Sequence, residues 1–306
     1  MSDKRVAIIS PYFGKFPIWF DLFLYSCSKN PTIDFIFITD CEIPQNVYKN
    51  TKFIRSDFDS YCSKVSKILS IKFNHKDPYK LCDLKPFYGI IHKDELKEYD
   101  FWGFGDCDLI YGNLEIIINQ LNLSKYDFIT THNDRIAGHF TIIRNDSKFT
   151  NQCMLIPHWK EKLEDLKHYA LDEEDFCDVI YPTLKNIKRI YRYLIKPLGL
   201  MRRDTFFRAL NIFFCNKFTK ILFKECFTTP LPKKTDEWIY DLNTGSVKKN
   251  KKNEIPYIHF LPFKKNRYFE LEYSWDDDFY HVKKTEIMTG KGLISINVDE
   301  IVYKND

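Results

Sequence analysis

Two aspartates separated by a single residue are the strongest chemical signal in this sequence. Asp106 and Asp108 flank Cys107 in the run FWGFGDCDLIYG, directly after an apolar and aromatic segment. Two carboxylates at the end of a strand can bind a hard divalent cation, whose remaining positions then accept diphosphate oxygens. The pattern fits a nucleotide-sugar site, although paired aspartates are also common as solvated loop acids.

A histidine and two lysines about 150 residues downstream extend this signal. His259 lies in the apolar segment IHF, and Lys264 and Lys265 follow it. Imidazole and carboxylate both suit Mn²⁺ or Mg²⁺, and a lysine pairs with phosphate. The alternative is an ordinary core histidine beside a solvated pair of lysines.

Further candidate donor contacts lie in the segment YKLCDLKPFYG. If this segment is helical, Lys80, Asp83 and Lys85 lie near one another and could hold a ribose hydroxyl and a diphosphate. An ordinary surface ion-pair set explains the same residues equally well.

Two predicted strand ends also carry candidate donor contacts. Pro11, Tyr12 and Phe13 follow the first strand, where Tyr12 could stack on a base and the backbone amides could approach a phosphate. Asp40 ends the second strand and could contact the base or the ribose.

The elements that must position these residues alternate between short strands and helices. An opening βαβ unit, strands within 6–10 and 34–39 with a helix over 18–28 between them, predicts an α/β fold with a mostly parallel sheet. Acidic residues at strand ends of such a sheet lie where ligands usually bind. The remaining predicted elements are helices over 61–72, 79–92 and 171–181, short strands at 53–54, 101–104, 109–112, 127–131, 139–144 and 257–261, and a hairpin around 243–245.

Composition narrows the class of protein. The chain has 306 residues, 17% of them aromatic, and a formal net charge of +4, which alone is too weak to indicate nucleic-acid binding. Nine cysteines without a CxxC pair favour reduced thiols in a cytoplasm over a disulfide framework. We find no signal-peptide pattern and no uncharged run of 18 residues, so we expect a cytoplasmic protein.

One segment departs from the rest of the chain in charge and aromatic content. Residues 185–228 contain eleven Lys or Arg against Asp204 and Glu225, a local net charge of +9. Phenylalanines and aliphatic residues, Ile221 and Leu222 among them, spread around most of a helical wheel, which predicts a helical insertion buried against protein or lipid. Contact with an anionic membrane surface is one interpretation, and a buried helical pair or an oligomer contact is the other. The predicted units are a core over 1–184, this insertion, and a C-terminal part over 229–306.

The motifs SPYFG, IFITD, YKLCDLKP, FWGFGDCDLIYG, AGHFTIIRN, LDEEDF and IHF occur in this order. Together they resemble the bacterial glycosyltransferases of the GT-A (Rossmann-like) fold found in capsule and lipopolysaccharide gene clusters, a group first described as a domain of unknown function. The resemblance covers about residues 5–180 and 235–270. It extends more distantly to the glycogenin and lipopolysaccharide galactosyltransferase type, which binds Mn²⁺ with UDP.

The resemblance implies roles for individual residues on the donor side. It implies that Asp106, Asp108 and His259 ligate Mn²⁺ or Mg²⁺, and that Lys264 or Lys265 neutralises the leaving diphosphate. The sequence HFLPFKK lacks the glycine and the KPW of the more distant pattern.

The resemblance also implies an acceptor side. Asp172, Glu173, Glu174 and Asp175 in LDEEDF would face the acceptor sugar, one of them acting as general base or holding the acceptor. Gly138 and His139 would lie under that sugar, because a glycine permits close approach to the backbone. Acids in the first turn of a helix are also favourable without any catalytic role.

Taken together, these features predict a metal-dependent glycosyltransferase of hexosyltransferase type. Its substrates would be a UDP-sugar or another nucleotide-sugar donor and a saccharide or lipid-linked saccharide acceptor of a surface polysaccharide, with no nucleic-acid partner. The enzyme could associate peripherally with the inner face of the plasma membrane. A DxD phosphohydrolase and a non-catalytic saccharide-binding scaffold at the membrane are the alternatives.

Overall fold

The computed structural model describes residues 3–199, 201–210, 220–224, 232–250, 252–264, 275 and 278–305. Its strands, in chain order, are β1 (Val6–Pro11), β2 (Ile33–Thr39), β3 (Thr51–Arg55), β4 (Phe101–Gly105), β5 (Leu109–Tyr111), β6 (Phe128–Thr130), β7 (Phe140–Arg144), β8 (Ile221–Phe223), β9 (Trp238–Asp241), β10 (Val247–Lys249), β11 (Glu254–Ile255), β12 (Tyr257–His259), β13 (Tyr280–His281), β14 (Leu293–Ile296) and β15 (Ile301–Lys304).

The α-helices are short and mostly follow the strands. They are α1 (Phe20–Ser28), α2 (Phe58–Leu69), α3 (Tyr88–Ile91), α4 (Lys93–Leu96), α5 (Gln120–Lys125), α6 (Ser147–Thr150), α7 (Trp159–Glu164), α8 (Asp175–Ile180), α9 (Pro182–Ile190), α10 (Arg203–Leu210) and α11 (Lys284–Met288). A π-helical turn, Tyr191–Ile195, continues α9.

Seven strands form the central sheet in the order β3-β2-β1-β4-β7-β6-β8. Strands β3, β2, β1 and β4 are mutually parallel, β7 is antiparallel to both of its neighbours, and β8 is parallel to β6. The carboxyl ends of β1, β2 and β4 therefore meet at one edge. The predicted α/β class with a mostly parallel sheet is confirmed.

The strands are apolar on both faces because each face is covered by other elements. In β1, Val6 and Ile8 belong to one hydrophobic cluster, with α1 and the C-terminal strands, whereas Ala7 and Ile9 belong to the cluster on the opposite face, with α2 and residues 81–91. Two cores therefore hold the sheet in place.

Two smaller sheets complete the described structure. Strands β11, β10, β9, β14, β15 and β13 form a six-stranded sheet, and the predicted hairpin around 243–245 joins β9 to β10 in it. Strands β5 and β12 form an antiparallel pair in which His259 is the partner of Leu109.

Three local predictions need correction. Residues 79–92 are not one α-helix, because Pro78–Phe87 is a 3₁₀-helix containing Pro86 and only Tyr88–Ile91 is α-helical; a proline inside a helix disrupts the α-helical hydrogen-bond ladder. The helix predicted from residue 171 begins only at Asp175, after a turn.

The third correction concerns the basic aromatic segment. Ile221 and Leu222 do not continue a helix but form β8 at the edge of the central sheet, beside β6. The predicted helical positions Phe213, Phe214 and Phe218 lie outside the described residues. No helix of the described ranges is long and apolar enough to cross a membrane.

Candidate active site

A cavity of about 410 Å³ opens at the edge of the sheet where β1 and β4 end. Its lining comes from the loop after β1, the 3₁₀-helix, the DCD turn and Lys264. The Ser10 hydroxyl donates a hydrogen bond of 2.8 Å to the Gly105 carbonyl, which ties the two strand ends together. Pro11, Tyr12 and Phe13, the predicted donor contacts of the first strand end, line this cavity.

Lys85 is the charged centre of this region. Its buried ammonium lies 2.6 Å from Oδ1 of Asp106 and 3.8 Å from Oδ2 of Asp172, and it donates a hydrogen bond of 2.8 Å to the Gly138 carbonyl. Burial alone would lower the pKa of Lys85, but the two carboxylates outweigh it and hold the pKa well above its usual range. Lys85 therefore remains a fixed positive charge.

Asp108 forms a second charged group with two residues from the distant end of the chain. The pairing of β5 with β12 places Nε2 of His259 3.5 Å from Oδ1 of Asp108, and Nζ of Lys264 lies 2.7 Å from Oδ2. Burial would raise the pKa of Asp108, yet Lys264 and His259 hold it well below its usual range. The predicted neighbourhood of Asp108, His259 and Lys264 is present in the structure; Lys265 lies outside the described residues.

The predicted metal ligands are only partly brought together. Among the described residues, no group of three or more His, Cys, Asp or Glu side chains is arranged to hold a metal ion. Asp106 pairs with Lys85 instead, whereas Asp108 and His259 are neighbours. The buried Oδ1 of Asp108 receives no hydrogen bond from any described residue, so it remains available to a cation.

A second cavity, of about 360 Å³, adjoins the first on the side of Asp172. Both cavities are lined by Lys85, Asp106, Asp108 and Lys264. The second cavity is also lined by Gly138, His139, Asp172 and Glu173, which the sequence analysis assigns to an acceptor.

The structure distinguishes the four acids of LDEEDF. Asp172 is buried and Glu173 is half-buried with Oε2 3.3 Å from Nε of Arg135, and both line the second cavity. Glu174 is exposed, and Asp175 forms an ion pair of 2.8 Å with Lys162. Burial raises the pKa of Asp172 to about 7. This carboxyl can therefore exchange a proton near neutral pH.

His139 is less available than its predicted place under the acceptor suggests. Its ring is buried, stacks on His259 with centroids 4.2 Å apart, and its Nε2 lies 2.8 Å from the Tyr257 hydroxyl. Burial, reinforced by the charge of His259, lowers the pKa of His139 well below its usual range. His139 is therefore a neutral imidazole that packs against His259, the neighbour of Asp108.

Lys80 and Asp83 come together as predicted but point away from both cavities. They form a buried ion pair of 2.9 Å, and Asp83 accepts hydrogen bonds from the backbone N–H groups of Tyr169 and Leu171. Lys80 donates to the carbonyls of Lys162 and Lys167. The pair thus anchors the turn that leads into Asp172, and neither residue lines either cavity.

Asp40 orders the loop that follows β1. Its exposed carboxylate accepts a hydrogen bond of 2.7 Å from the backbone N–H of Gly14, whose φ is +99°. A positive φ of this kind favours glycine. Asp40 therefore shapes the loop that carries Tyr12 and Phe13.

Trp19 is a cavity residue that sequence reasoning missed. Its indole N–H donates a hydrogen bond of 2.9 Å to the carbonyl of Cys107, and the ammonium of Lys264 lies 5.6 Å from its ring centroid. The sequence signal was an aromatic residue eight positions after a strand that ends at the site.

Comparison with known proteins gives a family but no activity. A family profile described as "Family of unknown function (DUF6625)" matches residues 8–291. No curated protein matches the chain.

Several solved structures share similarity with the chain at low identity. The glycosyltransferase GlyE of Streptococcus pneumoniae TIGR4 is 10% identical with a TM-score of 0.33, over 72% of this chain and 55% of GlyE, so the chain spans about half of that protein. The galactosyltransferase LgtC, in complex with donor and acceptor sugar analogues, is 11% identical with a TM-score of 0.29, over 57% of this chain and 70% of LgtC. Mouse xyloside xylosyltransferase 1 is 8% identical with a TM-score of 0.28, over 61% of this chain and 82% of that protein.

Proposed function

Because this chain belongs to the DUF6625 family, whose function is unknown, its activity has to be argued from the site, and we propose a glycosyltransferase of the GT-A type. It transfers a sugar from a nucleotide donor, a UDP-sugar in the first instance, to a saccharide or lipid-linked saccharide acceptor of a capsule or lipopolysaccharide. One observation carries the proposal: two cavities share Lys85, Asp106, Asp108 and Lys264. Group transfer needs two substrates held next to each other in a fixed orientation.

Lys85 and Lys264 bind the donor diphosphate in this proposal. Lysine ammonium groups form strong charge-assisted hydrogen bonds with phosphate oxygens. Lys85 is held rigidly by Asp106 and the Gly138 carbonyl, whereas Lys264 is one-third exposed and can exchange Asp108 for a phosphate. Fixed positive charge at this place stabilises the negative charge that develops on the leaving diphosphate.

Tyr12, Trp19 and Phe13 supply the apolar part of the donor site. They line the first cavity, and Tyr12 stacks on Phe16 with ring centroids 5.4 Å apart. Aromatic faces of this kind suit a nucleobase, whose flat ring gains from stacking.

Asp172 acts on the acceptor in this proposal. Its pKa, raised to about 7 by burial, suits a group that accepts a proton from an acceptor hydroxyl. Glu173, held by Arg135, orients the acceptor in the second cavity.

Two of the three predicted metal ligands, Asp108 and His259, are neighbours and could share a divalent cation. Asp108 and His259 would hold Mn²⁺ or Mg²⁺, with Asp106 as the third predicted ligand, and the cation would offset the charge of the diphosphate. The supporting observation is the buried Oδ1 of Asp108, which no described residue reaches with a hydrogen bond and which lies 3.5 Å from His259.

A thermal-shift panel of UDP, GDP, CDP and ADP, each with and without Mn²⁺, tests the proposal. We expect one nucleotide to stabilise the protein and to need the metal, by about 2.7 kcal/mol at 100 times its dissociation constant. Asp108→Asn should abolish the shift, whereas Asp94→Asn, a control at an exposed position on α4, should retain it.

Two results would contradict the proposal. Absence of a shift with every nucleotide would favour a saccharide-binding scaffold. Release of phosphate from simple phosphomonoesters, abolished by Asp106→Asn, would favour a phosphohydrolase.

A further inference from the structure

The segment that follows the acceptor-side acids presents an unusual surface. Between Asp178 and Asp204 the sequence contains seven Lys or Arg and no acid. The described part of this segment comprises α9, the π-helical turn and residues 196–199 and 201–202. Five large apolar side chains are exposed there by 40 to 68%: Ile190, Tyr193, Leu194, Leu198 and Met201.

The inner face of the same segment is packed, so its conformation is supported by the core. Ile187 and Tyr191 pack against the hydrophobic cluster that also contains α2 and residues 81–91. The Tyr191 ring lies 5.1 Å from Phe206 and 5.8 Å from Phe207, the latter buried. The outward residues are therefore displayed on a supported segment, which we call the basic apolar surface (residues 188–199 and 201–202).

Cations lie among the exposed apolar side chains. Arg189, Arg192, Lys196 and Arg202 are exposed, and none of them forms an ion pair with a described carboxylate. Exposed aliphatic groups cost free energy in water, and a cluster of exposed cations attracts an anionic partner.

We propose that the basic apolar surface binds an anionic lipid bilayer, with the arginines and lysine at the headgroups and the aliphatic side chains in the interface. Mixed cationic and apolar character is what an interfacial segment requires. A second copy of the chain that paired through the same surface is a poor occupant, because it would bring the same positive charge to the contact. Nucleic acid fits less well, because four of the five exposed apolar side chains are aliphatic and only Tyr193 can stack on a base.

The proposed membrane surface is smaller than the region 185–228 predicted from the sequence. Of the region 185–228, Phe207 is buried and Ile221–Phe223 belongs to the central sheet, so neither can reach a membrane. The proposal does not depend on the proposed reaction, because lipid binding requires neither a nucleotide nor Asp108.

Vesicle sedimentation tests the proposal with the full chain. We expect the protein to pellet with vesicles of phosphatidylcholine and phosphatidylglycerol at 50 mM NaCl and to be released at 500 mM, because screening weakens headgroup contacts. Vesicles of phosphatidylcholine alone should retain far less protein. Loss of one cation near such a surface weakens partitioning about fivefold.

Two sets of variants separate the charged and apolar contributions. Arg189→Glu with Arg192→Glu should lower partitioning by at least tenfold, while Lys67→Glu with Lys97→Glu, a control of equal charge at exposed positions elsewhere, should lower it much less. Leu194→Ser with Leu198→Ser should weaken binding and leave its salt dependence in place.

Three outcomes would overturn the proposal. The first is an equal loss of vesicle partitioning in Arg189→Glu with Arg192→Glu and in the control pair. The second is equal binding of the wild-type protein to neutral and anionic vesicles. The third is a wild-type dimer in light scattering that Leu194→Ser with Leu198→Ser dissociates. Thermal shifts with nucleotide are measured on the same variants. A variant that loses vesicle binding but keeps its nucleotide shift reports on the membrane surface alone, so a failure of this inference is distinct from a failure of the proposed reaction.

Discussion

Gly138 lies so close to Asp172 that a side chain at position 138 would displace the Asp172 carboxylate. A Cβ atom on Gly138 would lie 2.4 Å from Oδ2 of Asp172 and 3.3 Å from Oε1 of Glu173. The Gly138 carbonyl also accepts the hydrogen bond of Lys85. The absence of a side chain at Gly138 therefore permits the close approach of the Asp172 carboxylate, in addition to any approach of a sugar.

Gly138→Ala should displace Asp172 and reduce both stability and transfer activity. Forced overpacking of this kind costs about 1 to 3 kcal/mol. Urea unfolding measures that cost, and removal of the clashing carboxylate provides the control. In the Asp172→Ala background the alanine should cost much less, so equal costs in both backgrounds would argue against the contact.

The raised pKa of Asp172 predicts a specific pH dependence of stability. The unfolded carboxyl ionises near pH 4, whereas the folded one keeps its proton until about pH 7. The folded state thus binds more protons between these values, and the free energy of unfolding falls as pH rises through this window. The total loss is on the order of 4 kcal/mol.

Asp172→Asn cannot titrate and therefore isolates this effect. Urea unfolding of both proteins between pH 4 and pH 8 should show the wild type losing stability relative to the variant. Parallel curves would mean that Asp172 ionises normally. Transfer activity should rise through the same pH range if Asp172 accepts the acceptor proton.

The strands of the sheet and the position of Asp106 at a strand end could be predicted because the signal is local. The runs at β1, β2 and β4 are apolar, short and end in turn or acidic residues, so their strand identity and the position of Asp106 follow from the sequence. Ile221–Phe223 has only three apolar residues, and such a run is ambiguous between helix and strand without its neighbour β6.

The inner orientation of Lys80 and Asp83 could not be predicted. Their spacing of three residues correctly indicates a contact, but the 3₁₀-helix has no clear apolar face to show which side is buried. The neighbourhood of His259 and Asp108 is expected from their residue types and from the family resemblance, whereas its register is not, because it depends on a pairing between strands about 150 residues apart.

Lys80 and Asp83 should prove to be structural rather than donor-binding. Removal of one partner from a buried ion pair costs about 3 to 5 kcal/mol. Asp83→Asn should therefore lower Tm by about 5 °C or more in a chain of this length. Its affinity for the nucleotide, measured by calorimetry well below Tm, should stay within about twofold of the wild type.

Lys264→Ala is the comparison, because we expect it to lose nucleotide affinity, which Asp83→Asn should keep. Lys264 is one-third exposed and His259 still faces Asp108 when the lysine is lost, so Tm should fall less than in Asp83→Asn, yet nucleotide affinity should fall by about tenfold or more, the scale of a charge-assisted hydrogen bond. If Asp83→Asn loses affinity while its Tm is unchanged, Asp83 contacts the donor after all.

Trp19 should report donor binding through its fluorescence, because its indole lines the donor cavity and lies beside Lys264. A nucleotide that stacks in this cavity should quench the emission of the wild-type protein. Trp19→Phe should abolish most of the quenching and, by removing the hydrogen bond to the Cys107 carbonyl, weaken affinity several-fold.

Trp159→Phe is the matched control, because Trp159 is buried against Phe87 and belongs to neither cavity lining. Quenching that persists in Trp19→Phe and disappears in Trp159→Phe would mean that the nucleotide binds elsewhere.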